Sequence, residues 1–308
     1  MITGAVIQAG SVGFDTKKTI AKMADLLADT AKKKADIAVL PEAFVGGYPK
    51  GLTFGATVGG RTKRGREEFS AYFNGSIAVP GPETDEIAKM AKANNIFVVV
   101  GVIEREIGTL YCTVLFFDNT GSFLGKHRKL MPTASERLVW GFGDGSTMPV
   151  FKTKIGKVGS VICWENYMPM LRMAMYSKGI QLYCAPTADD RETWLPTMRT
   201  VALEGRCFVL SSNQFIRRES YPDIIDYRHE GDPDDVIMKG GSCIISPLGE
   251  ILAGPLFGNE GIITAELDPR LITQGKYDFD VAGHYSRPDI FTLDINTAAQ
   301  KITKKSGE

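Results

Sequence analysis

Short apolar runs alternate along this 308-residue chain with segments of helical periodicity. The runs at 4–9 ("GAVIQA") and 36–40 ("DIAVL") have the length and composition of strands. Between them a helix is predicted to begin near Asp15 or Thr16, because the apolar residues that follow recur at helical spacing: Ile20, Met23, Leu26 and Leu27. Strand, helix and strand in this order predict a βαβ unit, in which the helix covers one face of a parallel sheet.

The rest of the first half predicts a second helix and then a meander of strands. The helix is "PETDEIAKMAKANN" (82–95), for which Thr84 is the predicted cap. The apolar runs "IFVVVGVIE" (96–104) and "YCTVLFFD" (111–118) follow, and a tight "NTG" turn leads into "SFLGKHRKL" (122–130), which predicts hairpins. The basic run "RTKRGREE" (61–68) carries its own acids and is predicted to be a solvated loop.

The second half repeats the alternation. It predicts strands at "VGSVIC" and "IQLYCAP", a helix with Pro169 in its first turn and Gly179 at its end, and a second helix over "ETWLPTMRTVALEG". The strand "RCFVLSSN", the hairpin "SCIISPLGEILAG" and the strand "GIITAEL" complete the pattern. Two similar halves with hairpins predict an α/β protein with two mixed sheets. With no Pro/Ser-rich linker, we expect a single domain over 1–295 and a short charged tail over 296–308.

Composition excludes several classes of function. The 36 Lys and Arg residues balance the 36 Asp and Glu residues, so no positive field predicts a nucleic-acid partner. The longest apolar run, "IFVVVGVI", is far too short to cross a bilayer, and the start "MITGAVIQAG" lacks the pattern of a secretory signal. We therefore expect a cytoplasmic protein with no membrane partner.

The five cysteines are scattered, without the CxxC spacing of a zinc site or a redox pair, and are expected to be free thiols. Four lie inside apolar runs, where packing in the core is the simplest interpretation: Cys112, Cys184, Cys207 and Cys243. Cys163 differs, because in "GSVICWENYMP" an apolar strand leads directly into a thiol, a tryptophan, an acid and an amide.

Polar residues end three of the predicted strands, at the position where α/β proteins form ligand sites. They are Glu42 in "IAVLPEAF", Lys129 in "GKHRKLMP" and Cys163. Each alone is a weak signal, since an acid after a strand usually caps a helix or faces solvent. Together they suggest a nucleophilic thiol with a nearby base and a nearby cation.

A thiol becomes a nucleophile only when a neighbouring group removes its proton. His127 lies two residues before Lys129, whereas His229 and His284 stand in loop-like contexts, so a Cys-His pair is possible but poorly supported. Alternatively, Glu42 could act as the base from a desolvated pocket that raises its pKa. The three distant histidines and the absence of an HExxH motif predict that no metal is required.

Four longer motifs resemble the nitrilase branch of the carbon-nitrogen hydrolase superfamily: "LPEAF", "KHRKLMPTASERLVWGFGDG", "CWEN" and "MRTVALEGRCFVLSSNQF". The resemblance extends from the first strand to "GHYSRPDIF". It implies a four-layer α-β-β-α sandwich with a Glu-Lys-Cys triad. By motif, Glu42 is the general base, Lys129 the charge stabiliser and Cys163 the nucleophile. Glu136 corresponds to the family's second glutamate, although the residue pattern alone suggests a surface acid.

The same resemblance implies an activity. A nitrile, expected to be aromatic or arylaliphatic, would be hydrolysed to the carboxylic acid and ammonia through a thioimidate and a thioester on Cys163. The backbone N–H of Trp164 would help to stabilise developing negative charge, and Tyr48, Trp164 and Thr187 are expected to line the substrate pocket. No cofactor is expected, and the chain is expected to form a homodimer or a larger homo-oligomer.

Other functions of the same fold stay open on the sequence. A cyanide hydratase or dihydratase, a cyanoalanine nitrilase, and an amidase or N-carbamoyl hydrolase would all resemble this chain. An inert scaffold is the non-enzymatic alternative, although the complete set of Glu42, Lys129, Glu136 and Cys163 argues against it. Thr200 stands where nitrilases often carry a histidine, so this position departs from the family pattern.

Overall fold

The computed structural model describes residues 1–222 and 231–300. Within them, one mixed sheet has six strands in the order β13-β1-β2-β3-β4-β5. Strands β1, β2 and β3 run parallel, whereas β13 and the β3-β4-β5 meander pair antiparallel. The strands of this sheet are β1 (Ile2–Gln8), β2 (Ile37–Val39), β3 (Phe97–Glu106), β4 (Thr109–Phe117), β5 (Phe123–Arg128) and β13 (Gly261–Leu267).

The second mixed sheet has seven strands among the described residues, in the order β10-β11-β9-β8-β7-β6, with β12 also paired to β11. Strands β7, β8 and β9 run parallel. The strands are β6 (Val150–Thr153), β7 (Gly156–Ser160), β8 (Leu182–Cys184), β9 (Phe208–Ser211), β10 (Phe215–Arg217), β11 (Val236–Ile245) and β12 (Ile251–Phe257). Both sheets therefore have a parallel centre with antiparallel edges, and β13 from the second half of the chain forms one edge of the first sheet.

The helices in the described residues are α1 (Thr16–Lys32), α2 (Lys63–Asn74), α3 (Pro82–Asn94), α4 (Pro169–Ser177), α5 (Trp194–Gly205) and α6 (Arg270–Asp278). Helices α1, α3, α4 and α5 cover the outer faces of the two sheets. Apolar side chains of α1 and α3 pack on the first sheet, and those of α4 and α5 pack on the second. Between the two sheets lies a third apolar cluster, which includes Val39, Val99, Val114, Val158, Leu182 and Leu210. This arrangement is the predicted four-layer α-β-β-α sandwich.

Local signals account for several element boundaries. The Asp15 carboxylate accepts a hydrogen bond from the N–H of Lys18 and so caps α1 where the sequence predicts it. Pro169 is the first residue of α4, where its missing N–H costs no helical bond, and Gly179 follows this helix with φ +73°. The carboxylate of Asp118 accepts N–H groups from Thr120 and Ser122, which closes the predicted turn before β5.

Two predictions about the first half are wrong. Thr84 does not cap α3, because the helix begins at Pro82 with Gly81 as the capping residue, and the Thr84 hydroxyl instead accepts the N–H of Gly81. The basic run 61–68 is not a loop, since from Lys63 onward it forms the start of α2. Tyr72, the large side chain through which this helix packs into the protein, lies beyond the charged run.

The predicted domain boundary near residue 295 stays a prediction, and residues 301–308 of the predicted tail lie outside the described residues. Within the described part of the chain, every helix is too short or too polar to cross a membrane.

Candidate active site

Strand ends from both sheets bring the predicted residues together. Glu42 follows β2 and Lys129 follows β5 in the first sheet, whereas Cys163 follows β7 and Thr187 follows β8 in the second. In α/β proteins the carboxyl ends of parallel strands are the usual place for a ligand site. The two sheets pack face to face here, so residues more than a hundred positions apart become neighbours.

Lys129 forms the centre of a buried charge cluster. Its Nζ donates to Glu42 Oε1 at 2.7 Å and to Glu136 Oε2 at 2.8 Å, and its side chain is fully buried. Burial alone would lower the pKa of Lys129, but the Glu42 and Glu136 carboxylates raise it well above its ordinary value. The lysine is therefore an ammonium ion at neutral pH, held between two acids.

The two carboxylate oxygens of Glu42 differ in their hydrogen bonding. Oε1 accepts the Lys129 ammonium, whereas Oε2 is buried and has no hydrogen-bond partner among the described residues. Burial raises the pKa of Glu42, and the Lys129 ammonium opposes part of that rise. The Gln214 side-chain amide donates to the Glu42 carbonyl oxygen at 2.7 Å and helps to fix its backbone. Oε2 is thus a positioned proton acceptor with a raised pKa.

Glu136 is not the surface acid that the residue pattern alone suggests. It lies on a 3₁₀ turn, Ala134–Leu138, and only 9% of its side chain is exposed. Its Oε2 accepts both the Lys129 ammonium and the N–H of Thr133, and its Oε1 accepts the Tyr48 hydroxyl at 2.7 Å. Glu136 therefore contacts Lys129, and its role as the family's second glutamate stays a prediction.

Cys163 begins a 3₁₀ turn, Cys163–Tyr167, in the left-handed backbone region with φ +49°. A non-glycine residue rarely adopts this conformation, which recurs at functional sites. The N–H of Cys163 donates to the Pro186 carbonyl at 2.9 Å, and Asn166 Nδ2 donates to the Cys163 carbonyl at 2.7 Å. This sharp turn changes the direction of the chain after β7, so that the buried thiol faces the charge cluster.

The thiol of Cys163 is protonated at rest. Burial raises its pKa, the Glu42 carboxylate raises it further, and the Lys129 ammonium and the Thr187 hydroxyl only partly offset this. If this sulfur is a nucleophile, its attack requires a base at the moment of reaction, and Glu42 is the neighbouring group with an open oxygen.

Among the described residues, no histidine is placed to act as the base for Cys163. Both ring nitrogens of His127 are engaged elsewhere, Nδ1 with the Thr147 carbonyl at 2.6 Å and Nε2 with Glu165 at 3.0 Å. His284 is exposed and makes an edge-to-face contact with Tyr285, and His229 lies outside the described residues. The carboxylate alternative is the one that the geometry favours.

The three residues expected to bind substrate have different positions. Thr187 is buried and its Oγ1 donates to Cys163 Sγ at 3.2 Å, and Tyr48 uses its hydroxyl on Glu136. Trp164 is 39% exposed, its indole Nε1 donates to Asp189 Oδ2 at 2.8 Å, and the Arg191 guanidinium lies 4.6 Å from its ring centre. Contact of these residues with substrate stays a prediction.

Sequence reasoning missed two neighbours of the cluster. Cys112 is buried as predicted, but its Sγ also lies 3.5 Å from Glu42 Oε1. The Trp140 ring lies beneath the lysine, with its centre 5.5 Å from Lys129 Nζ. The signal that could have found Cys112 is strand pairing, because the N–H of Lys129 donates to the Cys112 carbonyl where β4 and β5 meet.

The hydrogen bond from Thr187 to the thiol gives a direct prediction. Thr187→Val is expected to slow alkylation of Cys163 by iodoacetamide about 5-fold, because the thiolate loses one hydrogen bond worth about 1 kcal/mol. Thr187→Ser, which keeps the hydroxyl, is the control and should react like the wild type. Peptide mass spectrometry would follow Cys163 separately from the other thiols, and equal rates for valine and wild type would contradict the assigned hydrogen bond.

Comparison with known proteins gives consistent matches. Residues 4–277 match the carbon-nitrogen hydrolase family. A bifunctional nitrilase/nitrile hydratase from Nicotiana tabacum is 54% identical over 303 residues, which cover 97% of this chain and 87% of that protein. An aliphatic nitrilase from Sinorhizobium fredii is 53% identical over 292 residues, which cover 95% and 94% of the two chains.

Among solved structures, a carbon-nitrogen hydrolase from Helicobacter pylori superimposes with a TM-score of 0.74 at 21% identity, covering 94% of this chain and 96% of that one. At this identity the structural similarity supports the fold alone. The two sequence relatives, at more than 50% identity, are both named as nitrilases.

Proposed function

Because the chain belongs to the carbon-nitrogen hydrolase family and to its nitrilase branch, and so is a hydrolase that acts on nitriles, we propose that it works through a covalent intermediate on Cys163. The observation that carries this proposal is the buried Lys129 ammonium, held between Glu42 and Glu136 next to a thiol in a strained turn. The arrangement supplies a nucleophile, a base and a fixed positive charge within one water-poor site.

In the first step the Cys163 sulfur bonds to the nitrile carbon while Glu42 Oε2 takes the thiol proton. The proton then passes to the nitrile nitrogen, which gives a neutral thioimidate. Negative charge that develops on this nitrogen is stabilised by Lys129 and by the backbone N–H of Trp164, near the start of the 3₁₀ turn where helical N–H groups lack partners. The high resting pKa of the thiol makes this coupled proton transfer necessary.

In the second step Glu42 removes a proton from water as the oxygen adds to the thioimidate carbon. The resulting tetrahedral intermediate carries nitrogen, oxygen and sulfur on the same carbon. Glu42 returns its proton to the nitrogen. If the carbon–nitrogen bond breaks, the hydroxyl proton passes through Glu42 to the nitrogen, ammonia leaves and a thioester remains, which a second water hydrolyses to the acid and the free Cys163 thiol. If the carbon–sulfur bond breaks instead, the thiol is regained and the product is the amide.

Release of the amide would match the hydratase activity in the name of the relative called a bifunctional nitrilase/nitrile hydratase. We therefore expect this protein to form some amide beside the acid. The aromatic or arylaliphatic substrate expected from the sequence stays a prediction, and a relative named as an aliphatic nitrilase supports testing aliphatic nitriles beside it. A homo-oligomeric state and a cytoplasmic location also stay predictions.

A substrate panel tests the function directly. Purified protein would receive an aromatic nitrile, an arylacetonitrile, an aliphatic nitrile, cyanide and the amides that correspond to the organic nitriles. Ammonia, acid and amide are then quantified. We expect ammonia and acid from at least one organic nitrile, with little turnover of the matching amide. Turnover of amides alone would favour an amidase, and no turnover of any compound would favour an inert scaffold.

A further inference from the structure

Two buried side chains outside the proposed triad connect the segment that contains Cys163 to the segment that contains Lys129. Glu165 lies in the 3₁₀ turn two residues after Cys163, and His127 lies on β5 two residues before Lys129. Both are about 1% exposed, and Glu165 Oε2 is 3.0 Å from His127 Nε2. Burying an ionisable pair this deeply costs folding free energy unless hydrogen bonds satisfy its polar atoms.

The Glu165 carboxylate accepts hydrogen bonds from both catalytic segments. Its Oε1 accepts the N–H of Leu130 at 2.6 Å, and its Oε2 accepts the N–H of Ile162 at 2.9 Å. Leu130 is the residue directly after Lys129, and Ile162 is the residue directly before Cys163. A single side chain thus joins the backbone beside the lysine to the backbone beside the thiol.

The partners of His127 indicate its charge. Nδ1 lies 2.6 Å from the Thr147 carbonyl oxygen, which can only accept a hydrogen bond, and Nε2 faces Glu165, which likewise can only accept one when it is ionised. A neutral imidazole carries one N–H and would leave one of the two contacts without a proton. Beside an ionised Glu165, whose two oxygens already accept the N–H groups of Leu130 and Ile162, only the imidazolium form, with an N–H on each nitrogen, satisfies both contacts; the alternative is a neutral pair in which the Glu165 carboxyl donates its O–H to Nε2.

The surrounding charges agree with this form. Burial lowers the pKa of His127, but the Glu165 carboxylate, the hydrogen bond to it and the Thr147 carbonyl outweigh burial and raise the pKa above its ordinary value. Lys178, which follows α4, acts in the opposite direction, with its ammonium directed to the Met148 carbonyl. On β8, the phenol of Tyr183 is buried near Glu165 and titrates only far above neutral pH.

We propose that His127 and Glu165 form a buried imidazolium–carboxylate pair that positions the Cys163 turn against the Lys129 segment. Cys163 has the strained φ of +49°, and Glu165 holds its turn from within, through the Ile162 N–H, and against the end of β5, through the Leu130 N–H and His127. Both residues act through the backbone of their neighbours and are therefore positioning residues. The inference rests on the proposed roles of Cys163 and Lys129 in catalysis.

The charge of His127 can be read directly. Protein labelled with ¹⁵N-histidine would be studied by magic-angle-spinning NMR, which is independent of particle size, with His127→Gln used to assign the signal. At a pH about 2 units above the ordinary histidine pKa of about 6.5, we expect both nitrogens of His127 to carry protons. A neutral ring with one N–H at that pH would overturn the proposal, and this measurement needs no variant to be active.

Glu165→Gln tests the positioning role. The amide keeps the shape but cannot form the ion pair, and its NH₂ group would face a backbone N–H. We expect kcat to fall about 10²-fold with KM changed much less, and alkylation of Cys163 to slow, in protein whose circular dichroism is unchanged. Glu104→Gln is the matched control: this carboxylate is also buried and pairs with Lys126 and Arg128 on the same strand as His127, but it has no bond to the Cys163 turn.

Equal kinetic effects in the two glutamine variants would overturn the positioning role, because a general loss of stability would then explain both. This failure is distinguishable from failure of the proposed function. If Cys163→Ala still hydrolyses nitriles, the catalytic assignment is wrong; if Cys163→Ala is inactive while Glu165→Gln matches Glu104→Gln, only the positioning pair is wrong.

Discussion

Cys163→Ala is expected to lower kcat for nitrile hydrolysis by about 10⁶-fold, the size of loss seen when a covalent nucleophile is removed from its catalytic group. Without the sulfur, neither the thioimidate nor the thioester can form, and Glu42 and Lys129 have no substrate-linked intermediate to act on. The fold should persist, because alanine leaves only the space of one sulfur atom at a site whose backbone is held by hydrogen bonds to Pro186 and Asn166. Circular dichroism and thermal unfolding would verify this.

Cys184→Ala is the matched control for this experiment. Cys184 is another free, fully buried thiol, on the neighbouring strand β8, and it belongs to the apolar cluster between the sheets. Its variant should retain activity near the wild-type level. In the wild type, rapid acid quenching followed by mass spectrometry should find a substrate adduct on the peptide that contains Cys163. Activity in Cys163→Ala, or an adduct on a different cysteine, would contradict the nucleophile assignment.

Lys129→Met should have the second-largest effect, because it damages both activity and stability. Methionine fills a similar volume, but it leaves the carboxylates of Glu42 and Glu136 buried without the ammonium that neutralises them. Removing one partner of a buried ion pair costs about 3–5 kcal/mol in the free energy of unfolding. Activity should fall at least about 10³-fold, since the charge proposed to stabilise the transition state is lost. Chemical denaturation and steady-state kinetics measure the two effects.

The double variant Lys129→Met/Glu42→Gln separates these effects. The amide removes one of the two stranded charges, so we expect it to recover part of the lost stability while activity stays absent. Acidification should act in the same direction on the single variant. A carboxyl whose pKa is raised by folding contributes stability below its unfolded pKa, and loses that contribution as the pH rises through its folded pKa. If Lys129→Met were as stable as the wild type at neutral pH, the buried charge cluster would be wrongly assigned.

The errors in the sequence interpretation share a physical origin. The basic run 61–68 suggests a loop only when its charges are considered without the residues that follow, and Phe69 and Tyr72 supply the apolar face that makes α2 a helix. Thr84 has the chemistry of a cap, yet Gly81 and Pro82 begin the helix earlier, and threonine takes the reciprocal position inside the first turn. Boundaries depend on competition among adjacent residues, so the existence of an element is predicted better than its first residue.

Glu136 and Cys112 show a different limit. Both are assigned by local context alone to roles that need no neighbour, a surface acid and a core thiol. In the structure Glu136 binds Lys129 and Tyr48, and Cys112 lies against Glu42. Family motifs correct the first assignment but not the second, because Cys112 enters the site only through the pairing of β4 with β5.

The sequence by itself determined the alternation of strands and helices, the two mixed sheets and the polar residues that end their strands, because these follow from local periodicity and residue chemistry. Motif resemblance added the triad. Only the tertiary structure decided which groups are neighbours and which protonation states they hold. Glu42 and Cys163 meet because two sheets pack face to face, and their raised pKa values result from burial in that contact. The partners of His127 likewise exist only once the Cys163 turn lies against β5.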